Sequence, residues 1–288
     1  MTSDEGPRAG AGWQEGLARE LAALLEPDAG VRALALFGSA ARGGEACDAW
    51  SDVDALVVVD GRARERFYPA PGWLRQLGDL YAWDQSAGEF AATTRVCFRD
   101  LRRLDLVIAT EAALARIADW PRVPFWGGVR VLFSRSAVAD HALAGPFARP
   151  APPLLTPEEY AALANRFWFK ATLAVGKVAR GDLLIALHLA LDLVRDCCVL
   201  GMVLRDRETG TAHHREGGSG NEVVAGLAGA AQPYTAAGIL ESVEQSAVAF
   251  DRLARRWSAG YREQRGPLLA LIERARRTLA AGSEGAEG

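Results

Sequence analysis

Two short polar clusters set between apolar runs carry the chemistry of this sequence. Gly38-Ser39 follows the apolar run Val31 to Phe37, and Ser51-Asp52-Val53-Asp54 opens a second apolar run that ends at Val59. Residues two apart on a strand point to one face, so Asp52 and Asp54 are expected to project together. Two neighbouring carboxylates repel unless a cation lies between them. Their hard oxygens suit Mg²⁺, which takes one or two carboxylates and fills its other positions with phosphate oxygens and water. Gly38 lets the backbone approach a phosphate closely, and Ser39 adds a hydroxyl and an amide donor. The expected arrangement is two strands joined by a phosphate-sized turn, with a phosphate grip facing a metal grip. Neither GxxxxGK[ST] nor GxGxxG occurs, which excludes those phosphate-binding loops.

The elements that must position these residues are legible from periodicity. Trp13, Leu17, Leu21, Leu24 and Leu25 recur at helical spacing ahead of the first strand. Strands are expected at residues 31–37 and 52–59, and a partly helical stretch at 62–79, broken near Pro69 and Pro71. Residues 81–84 are ambiguous. Alternation over 90–98, a short polar turn at Arg99-Asp100 and a strand at 103–108 predict a hairpin. In its second strand Leu104, Leu106 and Ile108 share one face and Asp105 takes the other. A lone acid in an apolar strand is costly to bury unless it is paired or bound to metal. A helix over 111–119 and a last strand at 129–133 complete this half.

The stretch from Gly145 to Pro157 is proline-rich and without period, so it reads as a linker. Helices are expected beyond it, at 158–180, 182–205, 222–230, 234–261 and 267–281. The architecture predicted is α+β: a mixed twisted sheet in a catalytic domain, residues 1–148, then an α-helical bundle domain, residues 149–288. Residues 1–10 read as disordered, and the glycine-rich 209–221, with His213 and His214, as either a disordered connector or a lip of the substrate cleft.

Of 33 basic residues only two are lysines, Lys170 and Lys177. They lie on one stripe of the first bundle helix with Arg166 and Arg180, either as a solvated face or as compact charges for a triphosphate that must release pyrophosphate. The next helix carries His188, Asp192, Arg195 and Asp196 at spacings of three and four. These are either a self-satisfied cluster or negative charge offered to a cationic substrate.

The totals narrow the partners. With 50% hydrophobic residues the chain can build real cores, and a net charge of -3 gives no general attraction to nucleic acid. No apolar run is long enough to span a membrane, the N-terminus is polar rather than signal-like, and Cys47, Cys97, Cys197 and Cys198 have no CxxC spacing. A reduced, cytoplasmic protein acting on a small molecule, with no nucleic-acid or membrane partner, is expected.

Gly-Ser, twelve intervening residues, then Asp-x-Asp at a strand start resembles the nucleotidyltransferase superfamily that includes DNA polymerase beta. The tandem layout is similar to its antibiotic branch, the aminoglycoside and lincosamide nucleotidyltransferases. The resemblance implies transfer of AMP from ATP, with Mg²⁺, to a hydroxyl of such an antibiotic, releasing pyrophosphate. It implies Asp52, Asp54 and Asp105 as metal-binding and catalytic residues, with Asp105 either sharing a second metal or taking the hydroxyl's proton. Gly38, Ser39 and Arg42 would hold the nucleotide; the residues alone, not the resemblance, suggest that Lys170 or Lys177 offsets pyrophosphate charge. A competing expectation is an antitoxin-type nucleotidyltransferase acting on a partner protein.

Overall fold

The computed structural model describes residues 12–43, 47–121, 123–125, 127–148, 155–210, 221–227 and 233–284. The expectations for 1–10, for residues 149–154 of the proline-rich stretch and for most of the glycine-rich loop, including His213 and His214, lie outside the described residues. The chain divides into two compact units, residues 1–150 and 151–288.

The first unit is built on helix α1 (Trp13–Leu25), strand β1 (Val31–Phe37), the single turn α2 (Gly38–Arg42), β2 (Val53–Val59), α3 (Arg64–Phe67), β3 (Leu80–Ala87), β4 (Ala91–Phe98), β5 (Arg103–Thr110), α4 (Glu111–Leu114), β6 (Arg130–Ser134) and α5 (Ala137–Leu143). The six strands form one sheet in the order β3-β4-β5-β2-β1-β6. β2 and β5 run parallel, while every other neighbouring pair is antiparallel. The sheet is therefore mixed.

Side-chain alternation sorts the strands onto two cores. Leu34, Leu36, Val53, Val57, Leu104 and Leu106 pack with Leu17, Leu21 and Leu25 of α1 on one face. Ala33, Ala35, Leu56, Val58 and Ala109 pack with Leu114, Phe125 and Leu143 on the other. Asp54 and Asp105 fall on this second phase, toward the strand ends, where the apolar cover gives way to partly buried residues.

Four elements differ from the sequence-based expectation. The stretch after Gly38 enters a turn of helix instead of a loop: Ala40, Ala41 and Arg42 favour helix, and Gly43 at φ 64° ends it. Residues 80–87 form the edge strand β3, and α5 had not been expected. The helix at 111–119 is α4 followed by a separate 3₁₀ turn, Ile117–Asp119.

The second unit contains α6 (Pro157–Ala179), α7 (Leu183–Thr209), α8 (Asn221–Ala225), α9 (Ala236–Trp257) and α10 (Arg265–Glu284). Thr156 and Glu159 cap α6 reciprocally, each side chain accepting from the other's backbone N–H. The bundle core joins Phe167, Ala171, Leu193, Leu200, Val243 and Ile272, with the Phe167 and Phe250 rings stacked 3.9 Å apart.

Candidate functional site

One row of register partners crosses five of the six strands. Phe37 on β1 lies opposite Asp54 on β2, Asp54 beside Asp105 on β5, Asp105 opposite Arg95 on β4, and Arg95 opposite Asp84 on β3. Lateral neighbours of like charge destabilise a sheet, so Asp54 beside Asp105 calls for a positive charge. Arg95 supplies one: its Nε donates to Asp105 Oδ2 at 3.2 Å and its Nη1 to Asp84 Oδ2 at 3.3 Å. The Asp105 side chain is 15% exposed and that of Asp84 74%.

Gly38 sits at the same end of the sheet, where β1 turns into α2. Its φ is 67°, and a Cβ built on it would stand 2.3 Å from Asp54 Oδ2. The carboxylate occupies the space that the missing side chain leaves. Ser39 is partly buried in the same turn, and the Arg42 guanidinium lies over Gly127, with Nη1 2.9 Å from where a Cβ there would be.

The chain leading into β2 is pinned by its own backbone. Gln14 on α1, 5% exposed, donates from Nε2 to the carbonyls of Asp48 (2.6 Å) and Ser51 (3.1 Å). Asp48 Oδ1 accepts from the Trp50 amide and the Ser51 hydroxyl, which closes the turn and holds the Asp48 carboxyl below the usual range, the Ser51 bond contributing most. Arg103 donates to the Trp50 carbonyl at 2.9 Å, and its guanidinium stands 3.7 Å from Asp52 Oδ2. Asp52 thus enters β2 on a fixed loop with an arginine beside it.

The donor set can be tested against Mg²⁺. Among the described residues no three His, Cys, Asp or Glu side chains form a ready-made cage. Mg²⁺ does not require one, since one or two carboxylates plus substrate phosphates are its usual protein site. The Asp54 and Asp105 pair, with Asp52 two residues before and a glycine that admits close approach, fits that pattern.

In the second unit both lysines meet carboxylates. Lys170 Nζ lies 2.5 Å from Asp192 Oδ2 and 2.5 Å from Asp196 Oδ2, joining α6 to α7. Burial works against its charge, but the bonds to Asp192 and Asp196 outweigh burial and raise the ammonium above the usual lysine range. The bond from Lys170 in turn holds Asp192 below the usual carboxylate range. Lys177 Nζ donates to Asp182 at 2.9 Å. Of the stripe expected on α6, Arg166 and Arg180 are exposed, whereas the lysines are partly buried in ion pairs.

The sequence profile of the streptomycin adenylyltransferase family matches residues 15–204. The chain belongs to this family. Its members are nucleotidyltransferases, and so is this protein; the match runs from α1 through most of α7, across both units. The fold is similar to that of an aminoglycoside 6-adenyltransferase from Bacillus subtilis, at 15% identity and TM-score 0.35, covering 92% of this chain and 98% of that one. It is also similar to a spectinomycin adenyltransferase from Enterococcus faecialis, whose crystal structure holds ATP and spectinomycin, at 13% identity and TM-score 0.29, covering 93% and 98%. No curated protein sequence matches the chain. Among the described residues no helix is long and apolar enough to cross a membrane.

For this streptomycin adenylyltransferase family member, sequence reasoning had passed over Arg95, Arg103 and Gln14. Arg95 left a signal: it and Asp105 are equidistant from Asp100 in the hairpin turn, so a tight hairpin must pair them. Arg103 and Gln14 act on backbone carbonyls of a loop, and nothing in residue spacing encodes that.

Proposed function

We propose that the enzyme transfers the adenylyl group of ATP to a hydroxyl of an aminoglycoside, with Mg²⁺ and release of pyrophosphate. The observation that carries this reading is the placement of Asp54 between Gly38 and Asp105: two neighbouring carboxylates suited to a hard cation, directly beside a glycine turn suited to phosphate. Family membership supports the aminoglycoside over the lincosamide as acceptor.

In this reading Mg²⁺, when bound, draws charge from the phosphates and orients the α-phosphorus for in-line attack. Asp52 and Asp54 would hold that cation. Asp105 faces Asp54 across the strand pair, where it can share the cation or accept the hydroxyl's proton. Gly38, Ser39 and Arg42 hold the phosphates. A nucleotide role for Lys170 and Lys177 would require each to exchange an aspartate for a phosphate oxygen.

The test is incubation of the purified protein with ATP, Mg²⁺ and, separately, streptomycin, other aminoglycosides and a lincosamide, followed by mass spectrometry. Addition of one AMP to an aminoglycoside supports the reading. Exclusive modification of the lincosamide, or of a protein partner, overturns the acceptor assignment.

A further inference from the structure

Arg95 has a role that the transfer reaction does not by itself require. Three carboxylates, Asp54, Asp105 and Asp84, and one guanidinium share the row that crosses β2, β5, β4 and β3. The register forces Asp54 and Asp105 together whether or not a cation is bound. Arg95 is a cation that the chain itself brings to that pair, 3.2 Å from Asp105, and Asp84 on the edge strand draws part of its charge away. Arg103 stands in the same relation to Asp52, at 3.7 Å.

We infer that Arg95 is a resident counter-ion that weakens cation binding to the bare site, so that Mg²⁺ enters with the nucleotide instead of ahead of it. The inference rests on the reading of Asp105 as a cation-site residue. A guanidinium beside a carboxylate lowers the negative potential that a divalent cation meets. The nucleotide's phosphates restore that potential and supply the remaining ligands. The order of binding is then set by the hairpin register of β4 on β5. Asp84 tunes it: the more strongly Asp84 holds Arg95, the less positive charge rests on Asp105.

The experiment measures binding of Mn²⁺ by electron paramagnetic resonance, alone and with a non-hydrolysable ATP analogue, on the full chain. Arg95→Met should tighten binding of Mn²⁺ alone by about tenfold and change binding with the analogue much less. Asp84→Asn should act in the opposite direction, weakening Mn²⁺ alone, because Arg95 then serves Asp105 undivided. A merely structural role gives no such opposed pair. Unchanged or weaker Mn²⁺ binding in Arg95→Met, or tighter binding in Asp84→Asn, overturns the inference. If Arg95→Met does not fold, Arg95→Gln and the Asp84→Asn arm carry the same signs. Asp105→Asn separates the two failures: wild-type Mn²⁺ binding there removes Asp105 from the cation site and the inference with it. Lost binding there with no response in the Arg95 variants sinks the inference alone.

Discussion

Asp54 Oδ2 stands 2.3 Å from the point where a Cβ on Gly38 would be. The glycine that turns the chain out of β1 and the acid that opens β2 therefore share one space, and neither can change size without moving the other. Gly38→Ala should lower the rate of AMP transfer by about 100-fold, since displacing a reacting group by an ångström has that scale of effect. The positive φ adds about 1–3 kcal/mol of instability. Kinetics and thermal unfolding of the same preparation check both.

Removing charge without volume isolates the electrostatic part. Asp54→Asn and Asp52→Asn should each reduce transfer by at least about 100-fold with melting temperature little changed. A magnesium titration shows the cause, because the lost activity should not return at saturating Mg²⁺. Full activity in either variant would remove that residue from the site.

Lys170 holds α6 to α7 through two carboxylates, so Lys170→Met should destabilise the helical unit by about 1–3 kcal/mol, leaving Asp192 and Asp196 facing each other. Unfolding in urea at neutral pH measures this loss. If phosphate binding is the larger role, the KM for ATP rises while stability holds.

The same bond gives a pH signature. Asp192 is held below its ordinary value of 3.8 by Lys170, so its contribution is fully present above that value and is lost as pH falls through the depressed one. Wild type and Lys170→Met should differ most near neutrality and converge in stability as pH falls through the depressed value. Urea titrations at several pH values test the convergence.

Asp251 is fully buried on α9 and accepts from the Tyr261 hydroxyl at 2.7 Å and the Gln264 amide at 3.2 Å. Tyr261→Phe removes one donor from a buried carboxylate and should cost about 1–3 kcal/mol. Chemical denaturation checks it, and an unchanged midpoint would mean that another donor takes the hydroxyl's place.

Strands marked by an apolar run or by clean alternation are legible in the sequence. β1, β2, β4 and β5 follow from their apolar phases, and the off-phase acid in β5 was visible as an anomaly that the sheet places beside Asp54. β3 was not legible, because as an edge strand it exposes Tyr81, Trp83 and Asp84 alike and shows no period. The partners of Lys170 were hidden for a different reason. Which carboxylate meets Lys170 depends on the register between α6 and α7, and helix periodicity fixes a face without fixing a sliding position.

The parallel pairing of β2 with β5 has a kinetic consequence. Antiparallel neighbours β3, β4 and β5 close through short turns, whereas Asp54 and Asp105 are about fifty positions apart and meet only after that whole segment has folded back. Loop closure of this length is slow, while helices of the second unit gain local contacts early. In a refolding experiment, helical ellipticity should therefore recover ahead of catalysis, and the interval between them reports the joining of two strands on which the carboxylate pair depends.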